Sequence, residues 1–177
     1  MLEYAQIAVV WAARQIWYSL PLGVALAAIL LAMAPLNLFQ GYAPAPDVVL
    51  AAVFFWAIFG PQFLPAWAVF ALGLTQDFAT GAPIGFWALV YLLAYGFSLS
   101  QRVFFFGRTV RGVWLGFVIV ALITALITWI AASTYFARWL PIGPILMQAA
   151  VSIAVFPIVA KAFFFVRGFL TTAREAL

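Results

Sequence analysis

The feature that most constrains this chain is the length of its apolar runs. Residues 113–129 contain no charged or amide side chain. An outer-membrane strand would alternate polar and apolar residues with a period of two. Unbroken runs of this length predict helices, because a helix satisfies its own backbone N–H and C=O groups inside lipid. Composition agrees: 69% of the 177 residues are apolar and 7% are charged, whereas a soluble domain carries about 25% charged residues. A water-soluble fold of this size needs a polar exterior that these side chains cannot supply. The expected fold class is therefore an all-α membrane protein in a single integral membrane domain.

The chain has no cysteine and no histidine. Disulfides, thiol nucleophiles, thiolate or imidazole metal sites and histidine acid–base catalysis are thereby excluded. The net charge of +4 comes without a basic run of the kind that tracks phosphates, so no nucleic-acid partner is expected.

Residues 1–19 mix Glu3, Gln6, Arg14 and Gln15 with Trp11, Trp17 and Tyr18, a composition suited to the headgroup boundary. The first charge is acidic and no A-x-A site follows the apolar run after Pro21. An interfacial segment and a retained first span are expected rather than a cleaved signal peptide. Six spans are predicted, at about residues 20–39, 47–60, 62–76, 83–100, 112–134 and 144–167. The second and third are short, interrupted by Gly60, Pro61 and Pro65, and form either two full crossings or a re-entrant hairpin. Pro83 is expected to open the fourth span at the first helical position, and Pro157 to kink the sixth.

With the N-terminus inside and six crossings, Arg14, Arg102, Arg108, Arg111, Lys161, Arg167 and Arg174 fall on the cytoplasmic side and only Arg138 outside. This positive-inside bias places both termini in the cytoplasm.

Four carboxylates are present, Glu3, Asp47, Asp77 and Glu175. Asp47 and Asp77 are the two in the body of the chain, and the topology puts both near the outer face. Asp47 precedes Val48-Val49-Leu50 and suits a helix N-cap. Asp77 lies in Gly73-Leu74-Thr75-Gln76-Asp77-Phe78-Ala79-Thr80-Gly81-Ala82-Pro83-Ile84-Gly85. Gly73 shares a helix face with Asp77 and lets another helix approach. Gly81 permits a positive-φ turn, and Gly85 leaves a bare face for packing. Asp77 either clamps this turn by accepting backbone N–H groups or binds a ligand or partner, since intramembrane acids call for a function. A proton-sharing dyad of the two acids, as in an intramembrane aspartyl peptidase, lacks the asparagine- and glycine-rich motif that should flank it. No phosphate-binding glycine loop or acid cluster for magnesium is present. Lys161 is near enough to a helix end to snorkel. No enzymatic activity, metal or cofactor is expected. What remains is packing: a small-residue stripe of Ala121, Ala125, Thr128 and Ala132 beside Thr124, and the i, i+4 pair Gln148 and Ser152, suit helix–helix contacts.

Over residues 46–95 the chain resembles the rod shape-determining MreD family. The resemblance rests on Pro46-Asp47-Val48-Val49-Leu50, on Phe54-Phe55-Trp56-Ala57, on the run from Gly73 to Gly85 quoted above, and on Ala88-Leu89-Val90-Tyr91. Length and span pattern extend it to the whole chain. It implies a non-enzymatic subunit of the bacterial elongation (rod) complex in the inner membrane. Such a subunit binds MreC, acts with MreB, RodZ, RodA and its penicillin-binding transpeptidase, and helps control cell shape and sidewall peptidoglycan synthesis. It also implies a six-helix bundle similar to the S-components of energy-coupling-factor transporters, with an outward-facing cavity. The expected mechanism is a groove for the membrane helix of MreC, with Gly73, Asp77, Gly81, Pro83 and Gly85 shaping the motif region near the outer face and, together with Asp47, forming a partner-binding or structural motif. The alternative is an S-component-like protein that binds a small molecule for a transporter.

Overall fold

The computed structural model describes Gly23, residues 44–105 and residues 110–175. The predicted interfacial segment 1–19, the first span 20–39 apart from helical Gly23, and Arg108 lie outside these residues. All regular structure among them is helical: α1 (Val48–Phe59), α2 (Ala66–Thr80), α3 (Phe86–Ser100), the single turn α4 (Arg102–Phe105), α5 (Val110–Tyr135) and α6 (Gly143–Glu175). Two segments are long and apolar enough to cross a bilayer, Arg111–Tyr135 and Gly143–Gly168. Helices α1 and α3 are apolar but shorter, at 12 and 15 residues, or about 18 and 22 Å at 1.5 Å per residue.

Helix α1 is apolar on every side, so it can only be stable at the centre. Every residue from Val49 to Phe59 is buried, and α3, α4, α5 and α6 pack around it. Phe54 meets Phe117 of α5 and Phe156 of α6 edge-on at 5.5 and 5.7 Å, and those two rings stack at 4.1 Å. Helix α2 lies outside this ring and packs chiefly on α3.

The helix at the expected third span, 62–76, is α2 at Ala66–Thr80. Gly60, Pro61 and Pro65 are absorbed in a turn in which Phe63 N–H donates to the Gly60 carbonyl (2.9 Å), and Pro65 is extended as the N-cap. The following segment, expected to begin with Pro83 at the first helical position, begins at Phe86. Pro83 instead sits in the connecting turn, where its carbonyl accepts from Phe86 N–H (3.0 Å). The last helix runs past the expected 167 to Glu175.

Pro157 lies inside α6. Its missing N–H frees the carbonyl four residues earlier, that of Ile153, which accepts the Trp114 indole N–H from α5 at 3.0 Å. The last turn of α1 is closed by basic residues from later in the chain. Arg102 Nε donates to the Ile58 carbonyl (3.0 Å), and the Arg167 guanidinium lies 5.3 Å from the Phe59 ring centroid. Arg102 and Arg167 thus share the end of the bundle opposite Asp47.

Candidate functional site

The residues between Gly73 and Gly85 form one continuous device joining α2 to α3. Gly81 takes the left-handed conformation (φ 65°), and its N–H and that of Ala82 both return to the Asp77 carbonyl oxygen, Ala82 at 3.1 Å. This closes α2 in a glycine C-cap. Helix α3 then starts at Gly85, also left-handed (φ 94°), which has no side chain to cap the new helix. Asp77 supplies that cap from the preceding helix. Its Oδ2 accepts Gly85 N–H at 2.8 Å and its Oδ1 accepts Trp87 N–H at 2.7 Å. Two donors of a helix start, which would otherwise be orphaned, are satisfied by one carboxylate, with the sign that the helix dipole favours. Asp77 is only 1% exposed. Of the two roles open to it from sequence, the structure shows the clamp.

Gly73 stands where the backbones of α2 and α3 meet. A Cβ there would overlap Ala88 Cα and N. The close approach expected at Gly73 is therefore made by the chain's own next helix. Gly85 departs from expectation: a Cβ there would meet nothing within 4 Å, so its positive φ, and not a bare packing face, is what requires glycine.

Asp47 caps α1 as expected, its Oδ1 accepting Leu50 N–H at 2.8 Å. It does more than cap. The Tyr91 hydroxyl of α3 donates to both carboxylate oxygens (3.1 and 3.2 Å). Asp47 N–H donates to Ser152 Oγ of α6 at 2.8 Å, and that hydroxyl donates onward to the Gln148 carbonyl at 2.7 Å. One residue ties three helices at one end of the bundle. The Gln148–Ser152 pair is accordingly an internal contact, running from hydroxyl to backbone carbonyl. Tyr91 was not singled out as a site residue. Its signal in the sequence is a hydroxyl-bearing ring inside an otherwise apolar run, four residues after Trp87, whose ring lies 5.5 Å from it.

Asp47 and Asp77 are held by separate backbone donors, Leu50 N–H for Asp47 and the N–H groups of Gly85 and Trp87 for Asp77. Among the described residues no group of three or more His, Cys, Asp or Glu could hold a metal ion. The small-residue stripe of α5 faces inward at Ala121, Thr124 and Ala125, all buried.

Fold and site together define an all-helical protein with membrane-length apolar helices and two capping acids at its helix starts. No protein-family model, curated protein or solved structure matches the chain.

Proposed function

We propose that this chain is a non-enzymatic, multi-pass subunit of a bacterial inner membrane, of the MreD type, which binds MreC and thereby serves the rod complex that directs sidewall peptidoglycan synthesis. Six spans with both termini in the cytoplasm complete the reading, with Arg102 and Arg167 at the inner end and Arg138 at the outer. The partner set is the one the motif resemblance implies, with MreC in direct contact and MreB, RodZ, RodA and its transpeptidase in the same complex.

The observation that carries the reading is the apolar outer surface. On α5, Leu115, Ile119, Leu122, Leu126 and Ile130 recur every three to four residues and are each about half exposed. A stripe of this kind is untenable in water and ordinary in lipid, where it faces either acyl chains or another membrane helix. The carboxylates, by contrast, are occupied by the chain's own donors. Function accordingly lies in helix surfaces, and Asp47 and Asp77 hold the shape that presents them. Because α3 already covers Gly73, the MreC helix is expected on an outward face of the bundle and not against that glycine.

Co-purification from mild detergent with the MreC-type protein of the same cell tests this. A stable complex is expected. Asp77→Ala should lose the complex only together with the monodisperse, folded protein in size-exclusion chromatography. A well-folded wild-type chain that fails to retain MreC overturns the reading.

A further inference from the structure

The end of α5 that carries Arg138 is shaped as a cup. Ala137, with a φ of 49°, turns the chain back, and the loop beyond it is pinned to α5 at Leu140. The Trp129 indole N–H donates to the Leu140 carbonyl at 2.9 Å, and Leu140 N–H donates to Ser133 Oγ at 3.4 Å. Trp139 is thereby brought beside Trp129, with the two rings 5.3 Å apart and tilted by 31°. Between helix and loop lies a cavity of about 630 Å³, lined by both tryptophans, Ile130, Ser133 and Arg138 among others. Ligand sites ordinarily span about 300–1,000 Å³ and combine apolar and aromatic walls with a few polar groups.

The polar groups of this cavity are donors without partners. The Arg138 guanidinium and the Trp139 indole N–H make no hydrogen bond or ion pair among the described residues. No carboxylate lines the cavity, and Asp47 and Asp77 are engaged by other donors. Two tryptophan faces also suit a quaternary ammonium, but an uncompensated guanidinium beside them repels one. The charge selects an anion, and the planar fork of arginine matches a phosphate.

Depth in the bilayer selects the kind of phosphate. The cavity reaches from Ile130, inside the apolar segment Arg111–Tyr135, to Arg138 just beyond its end. Tyr135, Phe136 and Trp139 are exposed at this end, as aromatic side chains are at headgroup level. One end of the cavity is apolar and the other cationic. We infer that it binds one lipid with an anionic phosphate headgroup, the phosphate on Arg138 and the Trp139 N–H and an acyl chain running past Ile130. This inference rests on the membrane crossing of α5 and not on MreC, so its failure leaves the partner reading untouched.

The test is native mass spectrometry of the full chain, delipidated in detergent and titrated with phosphatidylglycerol or phosphatidylcholine. One phosphatidylglycerol per chain is expected to bind about tenfold more tightly than phosphatidylcholine, on the scale of one charge-assisted contact. Arg138→Gln should abolish that preference, and Trp139→Phe, which keeps a ring and deletes the N–H, should reduce it. Arg111→Gln, at the other end of α5, should leave it unchanged. Equal binding of the two lipids by the folded wild-type chain overturns the inference, as does a preference that survives Arg138→Gln. Displacement of phosphatidylglycerol by equimolar inorganic phosphate would show a site for a soluble anion and overturn the lipid assignment.

Discussion

At the scale of single residues, the polar groups of this protein act as connectors between helices. Asp77 is the clearest case, since Gly85 leaves α3 without a cap of its own and the carboxylate reaches forward from α2 to provide one. Asp77→Ala leaves two partly buried N–H groups without their partner, each costing up to about 1–3 kcal/mol. A lower thermal midpoint in detergent is expected, followed by fluorescence-detected size exclusion; an unchanged midpoint would remove the clamp as a source of stability. Ala137 offers the opposite case. It is the one non-glycine residue with positive φ (49°) among those described. Its N–H returns to the Thr134 carbonyl and that of Arg138 to the Ser133 carbonyl, a C-cap geometry in which glycine is the usual occupant. Ala137→Gly should stabilise the end of α5 by about 0.5–1 kcal/mol, the strain of an L-residue there less the added freedom of glycine when unfolded. A fall in midpoint would show that Ala137 contributes a contact outweighing that strain.

Between elements, stability depends on two close approaches of different kinds. The α2–α3 contact relies on the missing side chain of Gly73, because a Cβ would collide with backbone atoms of Ala88 that cannot rotate away. Gly73→Val should therefore separate the two helices and disturb the Asp77 cap one turn later. Loss of folded protein is expected, in contrast with Gly96→Ala on α3, where a Cβ meets nothing within 4 Å. The α5–α6 contact instead exploits a defect. Pro157 strands the Ile153 carbonyl, and Trp114 repairs it from the neighbouring helix. Trp114→Phe keeps most of the ring and deletes that bond. The expected cost is about 0.6 kcal/mol, typical of interhelical hydrogen bonds in membranes, measurable as a shift in the reversible part of a denaturation curve. In a Pro157→Ala background the Trp114→Phe cost should shrink, because the carbonyl regains its own helical donor.

For the whole molecule, the natural absence of cysteine makes topology directly measurable. Arg138 lies just beyond the C-terminal end of α5 and Arg111 at its start, both exposed. In intact spheroplasts, Arg138→Cys should react with a membrane-impermeant maleimide from outside, and Arg111→Cys only after permeabilisation. Equal labelling of both without permeabilisation would overturn the proposed crossing of α5.

The apolar runs alone determined that the fold is helical, because inside a bilayer only a helix satisfies its own backbone groups within a single segment, and the period-two alternation of a barrel strand is missing. Local chemistry also made the Asp47 cap and the Gly81 turn legible, since both depend on neighbours within a few residues. Short-range cues misplaced the role of Pro83, because a proline signals a break equally well just inside a helix and in the turn before it. Only the tertiary structure decided what the remaining polar groups face. That Tyr91 and Ser152 converge on Asp47, and that α3 fills the bare face of Gly73, both depend on residues 15 to 105 positions apart. Such contacts arise from how helices pack, and in a chain so uniformly apolar the pattern of hydrophobicity does not distinguish one helix face from another.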